Sequence, residues 1–286
     1  MRTLALSDEI LMKVDKAARY IGGEVNSVMK DKNEVDIRFA MCFPDVYEIG
    51  MSNLGMMILY NMFNQREDVW CERLFSPWPD LDKVMREEKI PLFALESQEA
   101  IRDFDFLGIT IGYEMCYTNI LQVLDLSGIP LKSADRGEDF PIVIGGGACA
   151  YNPEPLAPFF DLFYIGEGET VYDALFDAYK ANKKVGGSRK DFLLAAAKIP
   201  GIYVPSLYEV TYKEDGTIAS FAPTVDDVPE KVQKQLIIDM EKEYRAVETP
   251  VVPHIKATQD RVILRSREAA FELSFLSGRY DLPSDP

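Results

Sequence analysis

The stretch Phe106-Leu107-Gly108-Ile109-Thr110-Ile111-Gly112 is a nearly continuous apolar run bounded by turn residues. A strand in the middle of a parallel sheet is covered on both faces, so it shows such a run rather than in-out alternation. Downstream, Thr118 to Leu126 has helical spacing and stops at Gly128-Ile129-Pro130, and Ile142-Val143-Ile144 is a second buried strand closed by Gly145-Gly146-Gly147. The beat continues in both directions. Upstream, strands are predicted over 35–42, 69–74 and 92–95, with helices over 51–64 and 81–88. Further on come a strand over 162–165 and a helix to Lys180. Alternating β and α at this spacing predicts an α/β fold with a doubly wound parallel sheet in three layers.

The flanks read differently. Residues 8–20 are predicted as one amphipathic helix ending at Gly22-Gly23. After about residue 186 come a helix over 191–198 and then a β-hairpin, Tyr203–Tyr212 and Thr217–Phe221, turning at Asp215-Gly216. Residues 222–256 are rich in Pro, Val and charge and predict an extended linker, with apolar surface exposed around Pro250-Val251-Val252-Pro253. The division is therefore 1–30, an N-terminal helical segment; 31–185, the sheet domain; 186–263, helix, hairpin and linker; and 264–286, an aberrant tail.

A net charge of −16 argues against nucleic-acid partners and anionic membranes, which are met by Lys/Arg-rich surfaces. No apolar run is long enough to span a bilayer and the first residues lack a signal-peptide core, so a cytoplasmic protein is expected. Cys42, Cys71, Cys116 and Cys149 are too far apart for a zinc or iron–sulfur motif and read as small buried hydrophobes. The single histidine, His254, cannot build a metal site alone, and no catalytic or metal-ligating residue is assigned.

In an open parallel sheet, ligands bind beyond the carboxyl ends of the strands. The candidate binding residues are those of the loops there: Asp45, Tyr47, Gly50, Ser52 and Asn53; Glu114 and Thr118; Gly145, Gly146, Gly147, Asn152 and Glu154; and Gly166, Glu167, Gly168 and Glu169. Glycines let a backbone approach a ligand closely. Each residue also has a structural explanation: Asp45 and Asn53 as helix caps, Glu167 and Glu169 as complements to a helix N-terminus, the glycine triplet as a tight turn. Neither a dinucleotide fingerprint nor a phosphate-binding loop is present. A hydrolase built on Glu167 and Glu169 is disfavoured, because residues two apart do not face each other on a helix.

These loops carry a resemblance. Asp45 to Leu59 (DVYEIGMSNLGMMIL), Gly145 to Pro155 with its Asn-Pro-Glu-Pro, and Gly166-Glu167-Gly168-Glu169 resemble the N-terminal region of radical SAM proteins that carry cobalamin-binding domains. Segments similar to 18–24, 72–80 and 201–206 point to one uncharacterised subfamily, and the resemblance runs from about residue 15 to 263. It implies a flavodoxin-like, cobalamin-binding-like fold. For the intact family member it also implies a 4Fe–4S cluster, S-adenosylmethionine and a radical SAM barrel as partner of this region, on an unknown substrate.

The chain departs from that family in two places. Cobalamin domains often carry Asp-x-His-x-x-Gly, the histidine ligating cobalt. Here Asp45 and Gly50 keep the register but Tyr47 stands at the histidine position. The resemblance therefore implies either a cobalamin without a histidine ligand or a cofactor-free binding scaffold. Secondly, the family's Cys-x-x-x-Cys-x-x-Cys cluster loop is expected after Asp260-Arg261-Val262-Ile263, yet no cysteine follows Cys149. Without thiolates the cluster chemistry is not expected of this chain itself. Leu273 to Asp285 can be written in codons that, read one base later, spell CRFCQAGMIYRP, and Arg265 to Ala270, read two bases later, IQRGC. Resequencing is expected to find a lost or gained base near codons 264–273; an unbroken frame in the transcript would overturn this.

Overall fold

The computed structural model describes residues 3–239, 247 and 249–252. The notional tail over 264–286 and His254 lie outside the described residues. Six strands form one sheet: β1 (Ile37–Phe43), β2 (Val69–Phe75), β3 (Phe106–Thr110), β4 (Ile142–Gly146), β5 (Leu162–Tyr164) and β6 (Ile202–Tyr203). Their order is β2-β1-β3-β4-β5-β6. The first five are parallel and β6 is antiparallel to β5. This is the doubly wound α/β sheet expected, of flavodoxin-like order, with its switch point between β1 and β3. The Phe106 run is indeed central: four of its five strand residues are buried.

The helices are α1 (Asp8–Leu11), α2 (Ala18–Ile21), α3 (Tyr47–Met51), α4 (Leu54–Gln65), α5 (Pro79–Glu88), α6 (Tyr117–Leu126), α7 (Tyr172–Lys184) and α8 (Arg189–Ala196). Apolar residues of α4, α7 and α8 cover one sheet face, where Phe39, Phe63, Phe106, Tyr172 and Phe176 pack edge to face and stacked. Those of α5 and α6 cover the other. Phe39 crosses β3 only because residue 108 is glycine: a Cβ there would lie 2.4 Å from the ring. A separate antiparallel pair, β7 (Tyr208–Tyr212) and β8 (Ile218–Pro223), is the expected hairpin.

Four readings need correction. The helix expected over 8–20 is two short helices separated by turns. The strand over 92–95 is a turn with one isolated bridge, Phe93 to Ala100. The strand over 203–212 is broken at Pro205, which cannot donate a ladder hydrogen bond; its start joins the main sheet and its remainder the hairpin. Finally, the segment around Pro250-Val251-Val252 was expected to be exposed, but Val251 is only 3% exposed and belongs to the main core. The backbone N–H of Asn26 donates to Val251 O at 3.2 Å and its side chain to Pro250 O at 2.8 Å. These contacts with Asn26, invisible to local sequence, accompany the burial of Val251, while Pro250 stays exposed and Val252 is half-buried.

Strand β2 is an edge, and edges need protection. Residues 95–99 run beside it, with Leu95 N donating to Arg73 O at 2.8 Å. Both sheet faces of β2 carry buried ion pairs. On one, Arg38 Nη2 lies 2.6 Å from Glu72 Oε1, with Ser97 N donating to Glu72 Oε2 at 2.9 Å and the Arg38 guanidinium over the Phe104 ring at 4.0 Å. Burial raises the Glu72 carboxyl, and Arg38 only partly offsets this. Removing one partner of a buried pair strands the other. Arg38→Met is therefore expected to lower stability in urea unfolding by about 3–5 kcal/mol, whereas Lys83→Met, on an exposed helix face, should leave the unfolding midpoint nearly unchanged.

Candidate functional site

The expected site is the carboxyl end of the sheet, and the structure brings its loops together there. At the switch point, the loop after β1 and the loop after β3 are joined directly: Tyr113 donates its hydroxyl to Asp45 Oδ2 at 2.6 Å, and Asn119 Nδ2 donates to Pro44 O at 2.9 Å. The hydrogen bond to Asp45, with burial adding to it, pushes the Tyr113 phenol up to about 12. Asp45 also accepts from Val46 N at 2.7 Å. Asn53 caps α4, its Oδ1 accepting from Met56 N at 2.9 Å. Ser52 donates to Glu48 O at 2.8 Å.

Tyr47 does not face open solvent at this edge. Its hydroxyl donates to Glu24 Oε1 at 3.0 Å and its ring packs against Phe75 at 5.3 Å. Burial, and then the negative charge of Glu24, holds the phenol well above the ordinary tyrosine range. Arg73 grips Glu24 with both terminal nitrogens, at 2.9 and 2.7 Å. Arg73 and Glu96 are fully buried (0% side-chain exposure), joined by an Nε–Oε1 contact of 2.6 Å. Tyr60 donates to the same Glu96 oxygen at 3.0 Å. Burial opposes the charge on Arg73, but Glu96 and Glu24 outweigh it.

The glycines of the expected site face protein. A Cβ on Gly50 would lie 2.2 Å from Phe75, on Gly145 2.6 Å from Phe163, and on Gly147 2.9 Å from Ile111 O. Gly166 has φ +132° and a Cβ there would lie 2.3 Å from Gln235 O. The linker thus meets this loop in one isolated parallel bridge: Gln235 N donates to Ile165 O at 3.0 Å, Glu167 N donates to Gln235 O at 3.1 Å, and the Glu167 carboxylate accepts from Ile237 N. Gly168 lies beside Leu59, and the nearest atom to a Cβ on Gly146 would be the Tyr172 hydroxyl, at 3.9 Å. Glu114, Thr118 and Asn152 are exposed, Glu169 is half-buried, and Glu154 accepts from Tyr203 at 2.6 Å. These residues share one edge, but what draws most of the glycines and acids together is the chain's own packing.

Sequence reasoning missed Glu24, Tyr60, Arg73, Glu96 and Tyr113. The available signal was Glu72-Arg73 in the middle of an apolar strand, a charged pair that must find counter-ions on both faces. The four cysteines are free; Cys42, Cys71 and Cys116 are buried, and burial raises all four thiols. Among the described residues no group of three or more His, Cys, Asp or Glu is arranged to hold a metal ion. No helix there is long and apolar enough to cross a membrane.

The sequence profile described as the N-terminal region of radical SAM proteins matches residues 55–205, just over half of the 286-residue chain. The chain belongs to this radical SAM family. An uncharacterized protein of Methanocaldococcus jannaschii is 26% identical over 131 residues, covering 46% of this chain and 24% of that protein. The structure of the radical S-adenosylmethionine methyltransferase TsrM from Kitasatospora setae, with tryptophan substrate and a SAM analogue bound, aligns at 15% identity and TM-score 0.34, covering 63% of this chain and 29% of its own. The radical SAM chain described here therefore spans about a quarter of the length of the relatives it matches.

The residues present do not fit a corrinoid held from this loop. The side chain in the ligand register is committed to Glu24, and the glycines that would admit the cofactor are occupied by Phe75, Phe163, Ile111 and Gln235. Gly166→Ala is expected to push the linker off the loop after β5. The measurement is limited proteolysis, which should cut near Lys231 or Lys234 faster than in the parent chain, at a stability cost of about 1–3 kcal/mol for the strained backbone.

Proposed function

We propose that this chain is the N-terminal module of a radical SAM iron–sulfur protein and that it acts as a cofactor-free docking scaffold. The cluster and S-adenosylmethionine belong, on this reading, to a separate part of the intact protein, which rests on the carboxyl edge of the sheet. The observation that carries the reading is the contrast between a filled crevice and an exposed rim. The loops at that edge are tied together by Asp45–Tyr113 and packed by their own glycines, yet Trp78, Tyr113, Met115 and Tyr151 are exposed around it. Aromatic and Met side chains are enriched in protein interfaces. Family membership supports the assignment, as does the share of the relatives' length that lies beyond this chain.

The alternative end of the sheet is less suited. A cavity of about 290 Å³ opens there between Arg102, Asp105, Tyr179, Lys183 and Arg189. Several of its charges are already paired: Asp105 accepts from Tyr179 at 2.8 Å and pairs with Lys183 at 3.0 Å, and Arg189 holds Asp161 at 2.7 Å. The test is site-specific photo-cross-linking in a full-length member of the family. A photoreactive residue at position 113 or 151 should cross-link to the cluster-bearing part, and one at position 103 or 139 should not. The reverse pattern would overturn the reading.

A further inference from the structure

Glu24 begins a short arm that is pinned along its whole length. Glu24 receives Tyr47 and both ends of the Arg73 fork. Two residues later, Asn26 holds the backbone oxygens of Pro250 and Val251. Val28 N then donates to the Tyr60 hydroxyl at 2.8 Å, and Val28 O accepts from Trp70 Nε1 at 3.0 Å. Tyr60 in turn donates its hydroxyl to Glu96, the same carboxylate that neutralises Arg73. One arm therefore connects the loop after β1, the edge strand β2, helix α4 and residues 250–251.

The energetics make the connection stiff. Hydrogen bonds to charged partners in a buried site are about twice as strong as neutral ones. A member of a fully satisfied buried network also cannot move without stranding the rest. Tyr47 is the point where this network reaches the sheet's carboxyl edge. Its hydroxyl has one acceptor there, Glu24, and the Glu24 carboxylate is oriented by the guanidinium of Arg73.

We infer that Tyr47 is a positioning residue: through Glu24 and Asn26 it holds residues 250–252 against the module, and this role replaces cobalt ligation at the position it occupies. The inference is independent of the docking proposed above, since it concerns contacts inside this chain. Val251 is buried at the far end of this chain of contacts. Tyr47 touches no reacting group, so its effect is on geometry.

The test has two readouts on the whole chain. In Tyr47→Phe and in Glu24→Gln, amide exchange of Asn26, whose N–H donates to Val251 O, should accelerate tenfold or more while β3 and β4 keep their protection. Asn26→Ala should free residues 249–252 from protease resistance and leave the Tyr47–Glu24 contact in place. Unchanged exchange at Asn26 in both Tyr47→Phe and Glu24→Gln would overturn the positioning role. In the second readout, hydroxocobalamin is added to the parent chain and to Tyr47→His, followed by gel filtration. Neither should retain visible absorbance; one equivalent bound to either protein would overturn the replacement of cobalt ligation. Cross-links that map to the amino edge would sink the docking proposal and leave this one standing.

Discussion

Arg73 carries its charge in a place that water does not reach, and the structure around it exists on that condition. The guanidinium has Glu96 on one side and Glu24 on the other, and its own backbone joins the contact, with N donating to Glu96 Oε2 at 2.6 Å. Paired buried charges are not automatically stabilising relative to an apolar core, but once made they are costly to break. That asymmetry is what ties three distant pieces of sequence, the arm at 24–28, strand β2 and the segment 95–99, to one location. It also lets an edge strand be covered on both faces without a further strand.

The second consequence concerns the sheet's carboxyl edge. In doubly wound folds the switch point between the first and third strands is where a ligand enters. Here the same geometry is used for internal bonding. Tyr113 closes across to Asp45, Tyr47 turns back to the arm, and the linker lays Gln235 against Gly166. A fold alone does not fix what such an edge does, and here its side chains bond to one another.

The linker illustrates how misleading composition can be. Pro, Val and charge without periodicity read as a segment looking for another surface. The surface it finds is this domain's own: Val228, Ile237 and Val251 are buried, and the loop after β5 pairs with it. Nothing in residues 222–252 announces these partners, because they lie at Asn26, Ile165 and Glu167.

Much of the architecture was legible from residue pattern alone. Continuous apolar runs at 106–111 and 142–144 mark strands covered on both faces, and the helices between them follow from 3.6-residue spacing, because burial is periodic in each element. The loops likewise could be assigned to one sheet edge, since parallel strands place all their carboxyl ends together. Whether those loops would hold a cofactor or one another could not be read there. A glycine looks the same in sequence whether its open face meets a ligand or Phe75, Phe163 and Gln235. Tyr47 looks like a substituted ligand until Glu24, 23 residues away, and Arg73 are brought beside it. Local order determined the sheet; long-range charge pairing, which depends on distances that sequence does not contain, decided what its edge became.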